Sequence, residues 1–176
     1  MSGAHRLGTA RELNQPYGGT LVNLLVDPGR AAELKAVSRD LASLDLSPRQ
    51  LADLEMLATG VFSPLTSFMG QADYEAVCAG MRLADGRLWP VPVTLDVSQK
   101  FAEKISSGQS IALRDGEGTL MAVLTVSEIW QPDRGAESQC LYGTRSFMHA
   151  AANQLLNASG EACVTGKLEV VELPLH

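Results

Sequence analysis

The stretch Ser47–Gly60, SPRQLADLEMLATG, carries the clearest structural signal in the chain. Ser47, Pro48 and Gln50 form a capping box with proline at the first helical position, so the serine and glutamine side chains can each bind the other residue's backbone amide. Apolar residues follow at helical spacing, namely Leu51, Leu54, Leu57 and Ala58. Gly60 is placed to end the helix in the left-handed region. The stretch therefore predicts an amphipathic helix with one buried face.

The loop after this helix is unusually rich in large apolar side chains. Pro64 and Gly70 interrupt any regular pattern, yet the interval contains Phe62, Leu65, Phe68 and Met69. An exposed apolar cluster of this kind marks a contact surface. We therefore expect some of the four side chains to pack inward and others to face a neighbouring domain.

The rest of the chain reads as short strands and helices separated by glycine and proline turns. Strands are predicted at Thr20–Val26, Leu44–Leu46, Leu88–Val97, Ser110–Arg114, Thr119–Trp130 and Cys163–Leu173. Helices are predicted at Ala31–Leu41, Ala72–Met81, in a short turn after Ser98 and at Phe147–Ala158. Residues 132–143 fit either a loop or a short helix. Because strands outnumber helices and hairpin turns are frequent, the predicted class is α+β, with a twisted or barrel-like antiparallel sheet and several short helices.

Composition and charge limit the kinds of partner. The chain has 176 residues, a formal net charge of -6 and a pI of about 5.0. Its 20 acidic residues outnumber 14 basic ones, which argues against nucleic acid, because that affinity is built from lysine and arginine contacts. No apolar run approaches the roughly 20 residues that span a bilayer, so no membrane partner is expected.

Cysteine usage and the N-terminal segment indicate a reducing compartment. Cys78, Cys140 and Cys163 lie far apart in the sequence, which argues against a disulfide framework and against a zinc site. Residues 1–15 lack the apolar core of a secretory signal and are predicted to form a flexible N-terminal tail. A cytoplasmic location is the simplest expectation.

No short motif in the chain predicts an active site. The three histidines, His5, His149 and His176, form no metal-binding pair, and a structural role is the better hypothesis for His149. Gly116–Gly118 opens a strand rather than a helix, so it predicts a hairpin turn and not a dinucleotide site. Gly108–Ala112 resembles a nucleophile elbow only weakly, because that motif needs a strand before it and a helix after it.

Asp53 and Glu55 flank Leu54 in the helix that follows Ser47. Residues two apart on a helix point in different directions, so these carboxylates cannot act together on one substrate. We expect solvated charges or a salt bridge to another domain. The sequence therefore predicts no catalytic, no cofactor-binding and no metal-binding residue in this chain.

Two long runs of sequence resemble a known family. Residues 51–70, LADLEMLATGVFSPLTSFMG, closely resemble a signature of the ATP sulfurylases, or sulfate adenylyltransferases. Residues 83–96, LADGRLWPVPVTLD, are similar to the run that follows in that family. Residues 16–19, PYGG, resemble the start of the family's domain, with Tyr17 in place of a histidine. The resemblance continues to about Thr144.

The resemblance implies a PUA-like N-terminal domain at residues 16–165. Residues 166–176 would then form the last strand and the start of a link to an absent catalytic nucleotidyltransferase domain. In the family, sulfate attacks the α-phosphorus of ATP and gives adenylyl sulfate and pyrophosphate, with magnesium. The family's catalytic segments belong to the second domain and do not occur here, so no catalytic residue is carried over. The implied Mg²⁺ and ATP belong to the full-length enzyme.

After Thr144 the chain departs from the family pattern, because Arg145–Ala150 stand where the family usually has an aspartate and a His-Pro pair. The leading hypothesis is an accessory domain that braces its own downstream nucleotidyltransferase domain and contributes to homo-oligomer contacts. An alternative is a stand-alone PUA-like module that binds RNA or a small ligand, although the acidic charge and the matched motifs count against it. A small self-sufficient enzyme is disfavoured, because ionisable side chains do not cluster.

Overall fold

The computed structural model describes residues 14–174. In chain order their elements are α1 (Pro28–Val37), β1 (Ala42–Asp45), α2 (Pro48–Ala58), α3 (Gln71–Gly80), β2 (Leu95–Val97), α4 (Gln99–Ala102), β3 (Ser110–Arg114), β4 (Leu120–Trp130), α5 (Arg134–Tyr142), α6 (Ala150–Ala158) and β5 (Ala162–Val170). Within that range no helix has the length and apolar character needed to cross a membrane. The flexible tail predicted at residues 1–15 falls almost entirely outside the described residues and stays a prediction.

The strands form one mixed sheet in the order β1-β3-β4-β5-β2. Every neighbouring pair is antiparallel except β1 and β3, which run parallel with Ala42 opposite Ile111. The α+β class is therefore confirmed, but the prediction of an antiparallel sheet is wrong at β1. A parallel pair requires a long crossover, and the chain between β1 and β3 contains α2, α3, β2 and α4.

The main apolar core lies between this sheet and α2. β4 is buried along most of its length, with Leu124 and Val126 almost fully enclosed. Leu54 and Leu57 of α2 are fully buried in the same apolar cluster. Burying one such side chain contributes roughly 1.5–3 kcal/mol, so apolar contact is the main attachment of α2 to the sheet.

α2 forms as its sequence predicts. Ser47 Oγ accepts a hydrogen bond from the Gln50 amide at 3.3 Å, and Gln50 Oε1 accepts one from the Ser47 amide at 2.9 Å, which confirms the capping box. Gly60 has a φ of 81°, and a Cβ atom there would lie 2.2 Å from the carbonyl oxygen of Val22. Glycine is therefore required both by the left-handed turn and by the close approach of the preceding segment.

The apolar loop after α2 packs against the rest of the chain. Leu65, Phe68 and Met69 are buried, and half-buried Phe62 meets the ring of Trp89 edge-on with 5.7 Å between centroids. Inward packing is thus confirmed for three of the four side chains. Of the four, only Phe62 is partly exposed, and the contact with a neighbouring domain stays a prediction.

The predicted strand at Thr20–Val26 is wrong. Only Leu25 makes a β-bridge, to Val170 at the end of β5. The amide of Leu24 donates instead to the carbonyl of Ala58 in α2 at 3.2 Å. The segment therefore divides its backbone hydrogen bonds between a strand and a helix end, so it cannot form a regular ladder.

The predicted strand at Leu88–Val97 is shortened to the three residues of β2. Pro90 and Pro92 carry no amide hydrogen to donate to a ladder. The carbonyl of Val93 accepts from the amide of Met69 at 2.8 Å, so it pairs with the apolar loop rather than with a strand.

The C-terminal part of the chain contains two helices and a central strand. Within residues 132–143, which fitted either a loop or a helix, Arg134–Tyr142 form α5, and the side chain of Asp133 caps its N-terminus. α6 begins at Ala150, later than the predicted Phe147, because residues 146–149 form a turn in which the amide of His149 donates to the carbonyl of Ser146 at 3.1 Å. β5 lies between β4 and β2 as one continuous strand, which crosses the domain boundary predicted after residue 165.

Candidate functional site

A cleft of about 320 Å³ opens between α2, residues 91–94 and the α5–α6 hairpin. Four charged side chains border it: Arg49, Asp53, Arg134 and Glu137. Leu141 and Leu155 contribute apolar walls. Ligand sites typically combine such a concave surface with a few polar groups, so this cleft is the candidate functional site.

On one side of the cleft, Arg49 joins α2 to β2. Its guanidinium donates to Oδ2 of Asp53 at 2.8 Å and also to Oδ1 of Asp96. Asp96 Oδ2 accepts from the amide of Gly160 at 2.8 Å, and its carbonyl accepts from the side chain of Gln50 at 2.7 Å. Asp96 therefore ties together α2, β2 and the chain that follows α6.

On the other side, α5 contains a buried ion pair that a hydrogen bond from Tyr74 joins to α3. Arg134 Nη1 donates to Glu137 Oε2 at 2.8 Å, and the two side chains are only 14% and 5% exposed. The hydroxyl of Tyr74 donates to the same carboxylate oxygen at 2.9 Å. Arg134 Nη2 donates to the carbonyl of Gly160 at 3.3 Å and to Cys163 Sγ at 3.5 Å. Such additional partners are what a buried ion pair needs in order to persist.

Burial shifts the pKa values of Asp53, which lines the cleft, and of Tyr74, which binds the cleft residue Glu137. Burial, reinforced by the negative charge of Glu137, raises the pKa of Tyr74 far above its usual range. The phenol therefore remains a hydrogen-bond donor to the carboxylate. Burial also raises the pKa of Asp53, and this effect exceeds the opposite influence of the Arg49 guanidinium.

The cysteines have no disulfide partner, since Cys78, Cys140 and Cys163 are all free. Burial raises the pKa values of Cys78 and Cys163 to about 11. For Cys163, burial raises the pKa more than the positive charge of Arg134 lowers it. Because the thiolate is the nucleophile and metal ligand, neither of these two thiols is prepared for chemistry near neutral pH.

The cleft does not fit magnesium-bound ATP. Its two guanidinium groups, from Arg49 and Arg134, are engaged by three carboxylates of the chain, from Asp53, Asp96 and Glu137. Little positive charge is left to hold a triphosphate, whose transfer depends on electrostatic stabilisation. In the part of the chain that the structure describes, no group of three or more His, Cys, Asp and Glu side chains could hold a metal ion.

His149 has a structural position. Its Nδ1 accepts from the amide of Ala152 at 3.3 Å and so caps the N-terminus of α6. Its ring stacks on Tyr142 with 5.3 Å between centroids. His5 and His176 lie outside the described residues.

The other sequence candidates lie apart from one another. Ser110, the centre of the weak elbow pattern, lies in β3 with its hydroxyl 3.1 Å from that of Thr125. Gly118 has a φ of 87° in the turn between β3 and β4, as a hairpin turn requires. Asp53 pairs with Arg49 of its own helix, and the salt bridge to another domain that the sequence suggested stays a prediction.

Sequence reasoning did not find the buried network of Arg134, Glu137 and Tyr74. The spacing of Arg134 and Glu137 by three residues is visible in a helix. Tyr74, however, lies 63 residues from Glu137 along the chain. Only the packing of α3 against α5 brings this hydroxyl to the carboxylate.

Comparison with known proteins places the chain in a family. A family model described as a PUA-like domain matches residues 14–173, and the chain belongs to this PUA-like domain family. The similarity to sulfate adenylyltransferases that residues 51–70 and 83–96 indicate is confirmed. The chain is 47% identical over 160 residues to the sulfate adenylyltransferase of Symbiobacterium thermophilum. It is 39% identical over 164 residues to that of Saccharomyces cerevisiae.

The chain spans well under half the length of these relatives. The match covers 90% of this chain and 40% of the Symbiobacterium protein, and 92% of this chain and 32% of the yeast protein. A solved structure described as a hexameric APS kinase from Thiobacillus denitrificans has a TM-score of 0.70 and 38% identity to the chain. That similarity covers 93% of this chain and 28% of the other. Nothing in these similarities supports an RNA-binding module.

Proposed function

We propose that this chain is the non-catalytic N-terminal domain of a sulfate adenylyltransferase. The observation that carries the proposal is the similarity of nearly the whole chain to only 32–40% of the length of two such enzymes. The full-length enzyme would be a cytosolic nucleotidyltransferase. With Mg²⁺ it would bind ATP and sulfate and convert them to adenylyl sulfate and pyrophosphate.

The charge arrangement of the cleft supports a non-catalytic role for the domain. Transfer at a phosphoryl centre needs several cations or amide donors that converge on the developing negative charge. Arg49 and Arg134 instead satisfy carboxylates within the domain. The reacting groups would therefore belong to the remaining part of the enzyme.

The polar contacts of the cleft residues also suit a domain that supports a neighbouring domain. Asp96 and the Arg134–Glu137 pair fix the α5–α6 hairpin against the sheet and α3, so the domain offers its partner a rigid surface. The partner would be the enzyme's own nucleotidyltransferase domain. The hexameric assembly described for the Thiobacillus structure supports homo-oligomer contacts as a further role.

A pyrophosphate-release assay tests this proposal. Purified residues 1–176, incubated with ATP, Mg²⁺ and either sulfate or molybdate, should release no pyrophosphate above a buffer control. The polypeptide encoded by the complete reading frame should release it under the same conditions.

Two results would contradict the proposal. Turnover by residues 1–176 that survives repurification would reveal an active site within the domain. A complete gene product that makes no adenylyl sulfate would remove the link to sulfate activation. A folded double variant of the complete product, Arg49→Ala with Arg134→Ala, should retain turnover, because neither side chain has a catalytic role.

A further inference from the structure

Two of the free cysteines lie on helices that contact each other. Cys78 is half-buried in α3, one turn after Tyr74. Cys140 is exposed in α5, one turn after Glu137. Residues three or four positions apart lie on the same side of a helix, and the Tyr74 hydroxyl binds the Glu137 carboxylate at 2.9 Å. Each thiol therefore lies one helical turn beyond the hydrogen bond that joins α3 to α5.

The two helices run in similar directions from that hydrogen bond, which joins their N-terminal halves. The carbonyl of Met81, directly after α3, accepts from the amide of Trp89 at 2.8 Å. Residues 91 and 92 then border the cleft together with Leu141, in the last turn of α5. The C-terminal ends of both helices thus approach residues 89–92, so the two thiols lie on the same side of the hydrogen bond.

The influence of one thiol on the other also indicates that they are close. Burial is the main reason that the pKa of Cys78 rises to about 11, and the charges of Glu137 and Cys140 add to the rise. Such an influence weakens with distance and is screened by solvent. The main charged neighbours of Cys163 are instead Arg134 and Asp96.

We propose that Cys78 and Cys140 form a reversible disulfide that joins α3 to the α5–α6 hairpin when the chain meets a peroxide. Cys140 reacts first, because it is exposed to the oxidant, whereas Cys163 is fully buried. Cys78 has little reactive thiolate in solution near neutral pH. Its position beside Cys140 compensates, because a reaction between neighbouring groups does not depend on a collision in solution.

The reaction consumes one molecule of hydrogen peroxide in two steps. The Cys140 thiolate attacks a peroxide oxygen, an S–O bond forms, the O–O bond breaks, and hydroxide leaves and is protonated to water. The Cys78 thiolate then attacks the sulfur of this sulfenic acid, an S–S bond forms, and the hydroxyl group leaves as water. The two thiols are oxidised and supply two protons, while the peroxide is reduced to two molecules of water.

The disulfide changes how the hairpin is held. In the reduced chain, the side-chain contact between α3 and α5 described above is the hydrogen bond from Tyr74 to Glu137. A covalent link between Cys78 and Cys140 closes a long loop and restricts the unfolded chain, which stabilises the folded state. Oxidation should therefore strengthen the attachment of the hairpin to α3.

Peptide mapping by mass spectrometry tests the pairing. The reduced chain is treated with hydrogen peroxide at about pH 8, free thiols are blocked with N-ethylmaleimide, and the protein is digested without reductant. We expect a peptide pair that contains Cys78 and Cys140, formed within single chains and separated by dithiothreitol. The oxidised chain should unfold at least about 5 °C above the reduced chain. Amide hydrogen exchange in residues 134–142 should slow about tenfold.

Three variants assign these effects to the two thiols. Cys140→Ser changes an exposed side chain, and peroxide should then give neither the peptide pair nor the stabilisation. Cys78→Ser should give the same result; if this variant does not fold, Cys140→Ser decides. Cys163→Ala is the matched control, because it removes a thiol but keeps both members of the pair, and it should still form the link.

Four results would overturn the proposal. Cys140 could be oxidised to sulfinic acid while Cys78 remains free and is blocked by N-ethylmaleimide. Cys140 could instead link two chains, which a gel without reductant would show as a dimer. A peptide pair that contains Cys163 would assign the reaction to another thiol. A Cys78–Cys140 link that leaves both the unfolding temperature and the exchange of residues 134–142 unchanged would show that the link does not fix the hairpin.

Discussion

α2 and the α5–α6 hairpin are attached to the same sheet by different means. α2 buries apolar side chains, including Leu54 and Leu57, in the main core. The fully buried residues of α5 are instead polar, Glu137 and Ser138, and α6 buries only Ala152. One helix is therefore held mainly by apolar burial, and the hairpin mainly by directed polar contacts.

The difference has a physical consequence for substitutions. Apolar burial is non-directional and adds up over many small contacts, so the attachment of α2 does not depend on one atom pair. A buried hydrogen-bonded ion pair depends on each partner, because removal of one leaves the other charged and unpaired in a site of low polarity. The hairpin should therefore be the part of the domain that is more sensitive to a single polar substitution.

The largest effect is expected from Glu137→Ala. It removes the partner of both Arg134 and Tyr74, and loss of one member of a buried pair costs about 3–5 kcal/mol. Urea denaturation should show that decrease in the free energy of unfolding. Hydrogen exchange should show the earliest opening in residues 134–158 and not in α2.

Two control variants sharpen this prediction. Glu137→Gln keeps an oxygen that can accept from the Tyr74 hydroxyl, and should lose less stability than the alanine variant. The double substitution Arg134→Met with Glu137→Leu removes both charges and should recover most of the lost stability, as apolar replacements of buried ion pairs do. A cost below about 1 kcal/mol for Glu137→Ala, as for an exposed pair, would mean that the ion pair does not hold the hairpin.

A smaller, pH-dependent effect is expected at Cys163. Burial raises the pKa of this thiol to about 11, whereas an unfolded cysteine titrates near about 8.5. The unfolded state therefore loses its proton first, so the stabilisation is complete below about pH 8.5 and is lost as the pH rises toward 11. A shift of this size corresponds to roughly 3 kcal/mol at 1.36 kcal/mol per pKa unit.

Denaturation curves between pH 8 and 11 measure this effect. Cys163→Ala should lower the free energy of unfolding at every pH through loss of packing. The free energy of unfolding should, however, fall less steeply as the pH rises. Cys78→Ala provides the comparison, because Cys78 is also shifted to about 11 but is partly exposed. Equal slopes for the unsubstituted protein and Cys163→Ala would show that burial of this thiol does not contribute.

The smallest effect is expected from Ser47→Ala. The substitution removes the cap of α2 while its apolar contacts remain, and loss of such a cap typically costs about 1 kcal/mol. Ser47→Asp keeps an oxygen acceptor for the Gln50 amide and should be close to neutral. A loss of several kcal/mol for Ser47→Ala would show that α2 depends on its polar end as strongly as the hairpin depends on Glu137, and the contrast between the two regions would disappear.

The two regions also differ in how far sequence reasoning reached. For α2, the capping box, the buried stripe and the glycine stop are all encoded within fourteen residues, because each interaction joins positions a few residues apart. For the α5 region the sequence left a choice between loop and helix. The sequence did not predict the network of Arg134, Glu137 and Tyr74 beside the cleft, because Tyr74 comes from a distant helix.

The sequence by itself determined the α+β class, the position of α2 and the similarity to sulfate adenylyltransferases, because local periodicity and linear motifs carry that information. Tertiary structure alone decided that β1 pairs with β3 in parallel and that residues 20–26 form an irregular segment rather than a strand. It also brought the hydroxyl of Tyr17 to the carbonyl of Leu88. Each of these features joins backbone or side-chain groups from distant parts of the chain. Several apolar segments of similar composition could make each of these long-range contacts. Only the packing of the whole domain selects the segment that makes it.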